Sequence, residues 1–230
     1  MTENTALLER LGALDTNTIS DALDFLELEG ATFGLRPLWN CPRIVGRAST
    51  VKLGPKQDSK PAIHLISPVI DAVASDDRVL VISGGIEGVS CWGDILANAA
   101  KQKNIQGTII DGFSRDIEGS ESINYPLYGR GITMISARNR VIQIDSGCPV
   151  QIAGVTVHED DYVIADRCGS VFIAAEKISQ VIDLAEKIDA RQTSMVDAVR
   201  SGKSVAEVMH DKEFEAIQNS EFQLNSEVHT

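Results

Sequence analysis

The chain has 230 residues, of which 33 are Asp or Glu and 21 are Lys or Arg, so its formal net charge is −12. Without a basic block to neutralise phosphates, that balance argues against nucleic-acid binding. With no run of about 18 apolar residues, it argues against a membrane-spanning helix. The opening "MTENTALLER" lacks a basic segment followed by an apolar one, so the expected compartment is the cytoplasm.

In chain order, residues 4–29 predict two short helices. Asp15, Thr16 and Thr18 are capping candidates ahead of an apolar pattern at Ile19, Ala22, Leu23 and Phe25, and Gly30 is the expected stop. "GRASTVKL" (46–53) predicts a strand, and residues 60–74 predict a helix in which Pro68 marks a break. "RVLVIS" (78–83) is a continuous apolar run, as in a strand buried on both faces. A loop with Gly84, Gly85 and Gly88 follows, then a helix over 93–104, then a second buried strand, "GTIID". This is the expected size of a βαβ crossover. Strands are predicted at "GITMIS", "VIQI", "PVQIAGVTV", "DYVIAD" and "GSVFIAA". Residues 176–211 predict helix with a break near Gly202, and the last residues are polar. The expectation is α/β, with one domain over 1–205 and a peripheral tail over 206–230.

Cys41, Cys91, Cys148 and Cys168 form no CxxC pair and read as small apolar residues. His64, His158, His210 and His229 are scattered, and neither HExxH nor GxSxG occurs. The glycine loop matches no nucleotide-binding pattern.

In a βαβ unit the loop before the helix and the turn after the second strand share the carboxyl edge of the sheet, where open α/β sheets bind ligands. Asp94 and the pair Arg115–Asp116 should therefore be neighbours, though 21 and 22 positions apart. The first helical turn offers unpaired amides for an anion. Arg115 can grip a carboxylate or an enolate oxygen. Asp116 can ligate a hard divalent cation, since Mg²⁺ commonly takes only one or two protein carboxylates. Asp94 is then a candidate acid/base group. The alternative is a dipole-favoured Asp94 and an ion-paired surface turn. Asp111 reads as a strand-end turn residue, and Ser114 has no evident role.

The stretch "GGIEGVSCWGDILANAAKQKNIQGTIIDGFSRD", with "YPLYGRGIT" (125–133) and "PVQIAGVTVHEDDYVIADRCGSVFIA" (149–174), resembles the RraA-like family. That family includes class II pyruvate aldolases acting on 4-hydroxy-4-methyl-2-oxoglutarate and 4-carboxy-4-hydroxy-2-oxoadipate, and the regulator of ribonuclease activity A. The resemblance implies an α-β-β-α layered sandwich of the swivelling β/β/α type with a central βαβ unit. It implies a metal-dependent lyase that releases pyruvate from a 4-hydroxy-2-oxo acid, with oxaloacetate decarboxylation as a side activity. By the same resemblance, Asp116 would hold Mg²⁺ or Mn²⁺ and Arg115 would stabilise the enolate. Asp94 would orient the protonating water, and the start of the helix at Gly93, through the amides of Ile95 and Leu96, would hold the substrate carboxylate. It further implies a homotrimer or homohexamer with sites between subunits, where Glu186 or Asp189 of a neighbour would assist. Glu118 and Arg130 are candidates for the edge of the site, and Gly129, Gly131, Gly154, Gly169 and Asp166 for turns. The competing function is a non-catalytic, protein-binding regulator of a ribonuclease. The joint presence of Asp94, Arg115 and Asp116, which a pure regulator has no need of, favours the enzyme.

Overall fold

The computed structural model describes residues 2–57 and 66–209. The expected tail beyond 209 and the first part of the helix expected over 60–74 lie outside the described residues. Helix α1 (Glu3–Ala13) starts at Thr2, whose side chain accepts from Thr5 N–H. Helix α2 (Thr16–Phe25) starts at Asp15, which accepts from Thr18 N–H at 2.8 Å. Asp15 is thus the cap, while the Thr16 hydroxyl donates to Asp166. Gly30 does not stop this helix. It lets the backbone pass Phe172, since a Cβ on Gly30 would come 2.2 Å from Phe172 O.

After β1 (Arg36–Pro37) comes the long strand β2 (Ile44–Pro55). Next are α3 (Ser67–Ala72), β3 (Arg78–Ser83), β4 (Ser90–Trp92), α4 (Asp94–Gln102), β5 (Gly107–Ile110) and β6 (Phe113–Ser114). Pro68 does not break a helix. It sits in the first turn of α3, where its missing N–H costs nothing. The chain continues through α5 (Ile117–Ser122), β7 (Leu127–Gly129), β8 (Gly131–Ile132) and β9 (Val141–Ser146). Then follow the hairpin β10 (Val150–Ile152) and β11 (Val155–Val157), and the pair β12 (Tyr162–Ala165) and β13 (Ser170–Ile173). Helices α6 (Ile178–Arg200) and α7 (Val205–Val208) close the described chain, separated at Gly202 with φ +96°. The hairpin turns at Ala153 and Gly154, both with positive φ, as a two-residue turn of the I′ kind demands.

The large sheet has the order β1-β7-β5-β3-β2-β12-β13, and β9 also pairs with β2. Strands β2, β3, β5 and β7 run parallel, with Thr50 opposite Val81, Val81 opposite Ile109 and Ile109 opposite Tyr128. Side chains alternate between the two faces. Val79, Val81, Ile109 and Tyr128 pack against the β10–β11 hairpin. Leu80, Ile82 and Ile110 point the other way, onto α3 and α4. Farther along that face, Ile164, Val171 and Ile173 pack on α1, α2 and α6. A curled sheet with helices outside in two groups is the single-domain α/β sandwich that the sequence predicts.

Strand β2 carries two partners on one edge: β12 over its first residues and β9 over its last. Between them Glu159 accepts from Thr50 N–H at 2.6 Å and from Ser49 Oγ at 3.1 Å. This satisfies an amide that no strand reaches.

Candidate functional site

The crossover β3–α4–β5 is present, but the predicted site residues stand beyond a feature the sequence did not announce. Each of the adjacent parallel strands β3, β5 and β7 leaves the large sheet and resumes as β4, β6 and β8, which form a second, three-stranded parallel sheet. At the first two crossings Gly85 meets Gly112, where a Cβ on Gly85 would come 2.8 Å from Gly112 Cα. Gly129 and Gly131, expected in turns, lie in β7 and β8. There they allow close approach: a Cβ on Gly129 would come 3.1 Å from Gly112 O, and one on Gly131 3.0 Å from the Phe113 ring.

The second sheet brings the two halves of the predicted site together. Trp92 ends β4 and pairs with Ser114 at the end of β6. Trp92 O accepts from Arg115 N–H at 3.0 Å and from Ser114 Oγ at 3.3 Å. Ser114, fully buried, therefore clamps the two strands, a role the sequence did not reveal. Just past these strand ends, Gly93, Asp94, Ile95, Leu96, Arg115 and Asp116 line one cleft of about 380 Å³.

Asp116 has φ +55°, a left-handed conformation that Asp tolerates better than most residues. Its Oδ2 lies 3.3 Å from Arg115 Nε, and both side chains are 40% exposed. A Cβ on Gly93 would come 2.8 Å from that same Oδ2, so only glycine leaves room for the carboxylate there. Ala97 N–H, bonded to Gly93 O, begins the helical ladder of α4. Of the amides before it, that of Ile95 is taken by Asp94 Oδ1 at 2.7 Å, so a substrate carboxylate must displace Asp94 to reach it. Gly119 of α5 packs on Asp94, with a Cβ there only 2.7 Å from Asp94 Cβ. The floor is apolar. Trp92 stacks on Tyr125 with ring centres 6.0 Å apart, and burial pushes the Cys91 thiol up to about 11.

Other candidates fall away from the cleft. Arg130 pairs with Asp111 instead of lining the cleft, and Asp111 Oδ2 also accepts from Ala153 N–H at 2.8 Å. Asp111 thus does more than shape a turn, since it ties the strand end to the hairpin. Glu118, exposed in the first turn of α5, does not line the cleft. On α6, Glu186 accepts two hydrogen bonds from Arg10 of its own chain, at 2.8 and 2.7 Å, while Asp189 is exposed.

Sequence reasoning missed the opposite wall. "GITMIS" is a strand only at Gly131–Ile132. The segment after it is irregular and walls the cleft with Ser136, Arg138 and Asn139. Lys56 joins them because Pro55 pairs with Val141 in the β2–β9 ladder, and no local motif announces that register.

Carboxylates and an arginine thus gather in one cleft at the carboxyl end of a second small sheet, on a parallel βαβ core of the α/β class. The family model described as "RraA-like: Aldolase/RraA" matches residues 16–172, and the chain belongs to that family. It is 32% identical over 205 residues to protein DlpA of Legionella pneumophila, covering 89% of this chain and 33% of that one. The chain thus spans about a third of that relative's length. It is 29% identical over 200 residues to a Halalkalibacterium halodurans protein provisionally named 4-hydroxy-4-methyl-2-oxoglutarate aldolase, covering 85% and 91%. A solved structure of an uncharacterized protein from Pseudomonas syringae pv. tomato superposes with TM-score 0.79 at 31% identity, covering 90% and 98%. RraAS2 of Streptomyces coelicolor, titled an unusual member of the RNase ES inhibitor RraA family, shares the fold at TM-score 0.75 and 22% identity, covering 86% and 98%. No helix among the described residues is long and apolar enough to cross a membrane.

Proposed function

We propose that the cleft cleaves a 4-hydroxy-2-oxo acid to pyruvate and a second carbonyl compound, and decarboxylates oxaloacetate as a side activity. One observation carries the reading: Asp94, Arg115, Asp116 and the start of α4 line a single cleft. The residues suit Mg²⁺ or Mn²⁺ held by Asp116. Its donors are hard carboxylate oxygens, half-exposed, beside a glycine whose missing Cβ leaves space. Among the described residues no cluster of three His, Cys, Asp or Glu offers a closed metal cage, and a Mg²⁺ site of this kind does not call for one. Bound there, the cation supplies Lewis-acid polarisation of the 2-oxo group.

The protein's own groups supply the rest. The amides of Ile95 and Leu96 in the first turn of α4 receive the substrate carboxylate, aided by the positive end of the helix. Breaking the C3–C4 bond turns the 4-hydroxyl carbon into a carbonyl, releases the hydroxyl proton, and leaves the electron pair on an enolate. Arg115 stabilises the enolate oxygen. Asp94, drawn off the Ile95 amide by the incoming carboxylate, orients the water that protonates C3 and yields pyruvate. The working form is a homotrimer or homohexamer with the cleft near the subunit boundary. Ile95, 75% exposed in the lining of the cleft, and Met134, 90% exposed in the segment after β8, support that arrangement, and light scattering tests it.

Purified protein with Mg²⁺, coupled to lactate dehydrogenase and offered several 4-hydroxy-2-oxo acids and oxaloacetate, tests the activity. No pyruvate from a folded oligomer sinks the enzyme reading. Full metal-dependent activity in Asp116→Ala sinks the residue assignment.

A further inference from the structure

We propose that Val141 and Ile142, with Cys91 and Trp92, form an apolar subsite for the substituent on C4, so that the best substrates of this chain carry an alkyl group there and the second product is an aliphatic aldehyde. The proposal rests on the 2-oxo acid reading of the cleft and deepens it by naming the chemistry of the departing half. It departs from the two substrates named above for aldolases of the family, in which that half carries a carboxylate.

The lining divides by burial. With its carboxylate at the start of α4 and its 2-oxo group at Arg115 and Asp116, the substrate lays its C4 end on the rest of the cleft. Among the described residues, the buried side chains there are those of Ser90, Cys91, Trp92, Val141 and Ile142. None of them carries a charge. Burial pushes the Cys91 thiol up to about 11, so it stays protonated at neutral pH. Trp92 Nε1 is sealed from solvent without an acceptor, so the indole offers the cleft ring carbons. This surface is where a hydrophobic core opens outward: Cys91, Trp92, Leu96 and Val141 belong to one buried cluster, and Ala137 packs against it. Leu96 joins the two halves, since its amide lies in the first turn of α4 and its side chain is part of that cluster.

The subsite is set before a ligand arrives. Val141 pairs with Pro55 and Ile142 with Gly54 in the β2–β9 ladder. Ala137 O accepts from Arg140 N–H at 2.8 Å and from Val141 N–H at 3.0 Å, which closes the turn leading into β9. An alkyl group therefore displaces water from an existing apolar surface, and each methylene buried there is worth about threefold to fourfold in affinity. A carboxylate on the same surface gives up its water at a cost. Lys56 and Arg138 also line the cleft, but both are exposed, and solvent and salt screen an exposed charge. The cleft, about 380 Å³, lies in the range that takes ligands larger than pyruvate.

The reaction balances without a further reactant. As the C3–C4 bond breaks, the 4-hydroxyl loses its proton and its oxygen becomes that of the aldehyde. C3 keeps the electron pair and takes one proton to become the methyl group of pyruvate.

The test measures the binding of stable 2-oxo acids by calorimetry in the presence of Mg²⁺. In the wild type, affinity should rise about threefold with each carbon from 2-oxobutanoate through 2-oxopentanoate to 2-oxohexanoate. 2-Oxoglutarate, close in length to 2-oxohexanoate, should bind less tightly than it. Val141→Thr and Ile142→Thr nearly keep the volume and add a hydroxyl, and in each the gain per carbon should fall below about twofold. Melting curves check the fold of both variants, and the wild-type series decides alone where a variant does not fold. A flat wild-type series, tighter binding of 2-oxoglutarate than of 2-oxohexanoate, or a gain per carbon unchanged in both folded variants overturns the proposal. Binding of none of these acids overturns both it and the 2-oxo acid reading. A chain-length gain lost in the variants, without pyruvate release from any 4-hydroxy-2-oxo acid, removes the aldol activity alone and leaves the subsite standing.

Discussion

The α-carbon of Gly93 lies under the carboxylate of Asp116, so close that a methyl group in place of its hydrogen would stand 2.8 Å from Oδ2. The φ of Gly93 is −162°, extended backbone that any residue adopts. The glycine is therefore required by the carboxylate's position and not by the local chain. Gly93→Ala should fold normally, because the crowded atom is the movable end of a side chain, with a melting midpoint within about 3 °C of wild type. It should weaken Mn²⁺ binding, measured by electron paramagnetic resonance, by about tenfold or more. Unchanged Mn²⁺ affinity would show that Asp116 does not hold the metal from this position.

Gly119 stands to Asp94 as Gly93 stands to Asp116, except that the contact is with Asp94 Cβ at 2.7 Å, which cannot swing away. Overpacking of this kind costs about 1–3 kcal/mol. Alanine's better helix propensity in α5 returns up to about 1 kcal/mol. Gly119→Ala should therefore be destabilised by up to about 2 kcal/mol in chemical denaturation. Because α5 is pushed off Asp94, it should also slow solvent deuterium exchange into the pyruvate methyl group more than it weakens pyruvate binding. Equal effects on both would place Asp94 outside the protonation step.

The central crossover and the meeting of Asp94 with Arg115–Asp116 were legible in the sequence because they are local. A buried six-residue run, a helix with apolar residues at helical spacing and a second run fix the geometry between them. The second sheet was not legible, because β4, β6 and β8 are two or three residues long and carry no period. Their existence follows from three strands leaving one sheet side by side, which is a property of strand order. Lys56 and Arg138 were hidden for the same reason, since the β2–β9 register joins them across more than 80 residues. Ser114 looked idle because its partner, Trp92 O, is backbone.

Glu186 tests how the carboxylates of α6 are used. It accepts two hydrogen bonds from Arg10 within its own chain, and the two side chains are 44% and 38% exposed. An exposed pair of this kind is worth at most about 1 kcal/mol. Glu186→Ala should lower the melting midpoint by no more than about 4 °C and leave turnover unchanged. A tenfold loss of turnover in an intact oligomer would instead assign Glu186 to a neighbouring subunit's cleft.

Asp166 ties the loop before β13 to the start of α2. Its carboxylate accepts from Thr16 N–H at 3.0 Å, Thr16 Oγ1 at 2.7 Å and Cys168 N–H at 2.9 Å. Burial raises its pKa, but these hydrogen bonds and the nearby Arg43 outweigh that and hold it below the ordinary value. A carboxylate depressed on folding contributes stability that is complete above its unfolded pKa, near 3.9, and is lost as pH falls through the lower folded value. In Asp166→Asn the remaining oxygen can still take two of the three donors, but the amide nitrogen faces Thr16 N–H. At pH 7 the variant should be less stable by about 1–2 kcal/mol in urea denaturation. Below about pH 4 the unfolded chain takes up the proton first and the advantage shrinks, and it is gone once the folded carboxylate is protonated at its lower pKa, so the two curves should converge. A difference that stays constant from pH 7 to pH 3 would mean that shape alone, and not the charge of Asp166, holds this loop to α2.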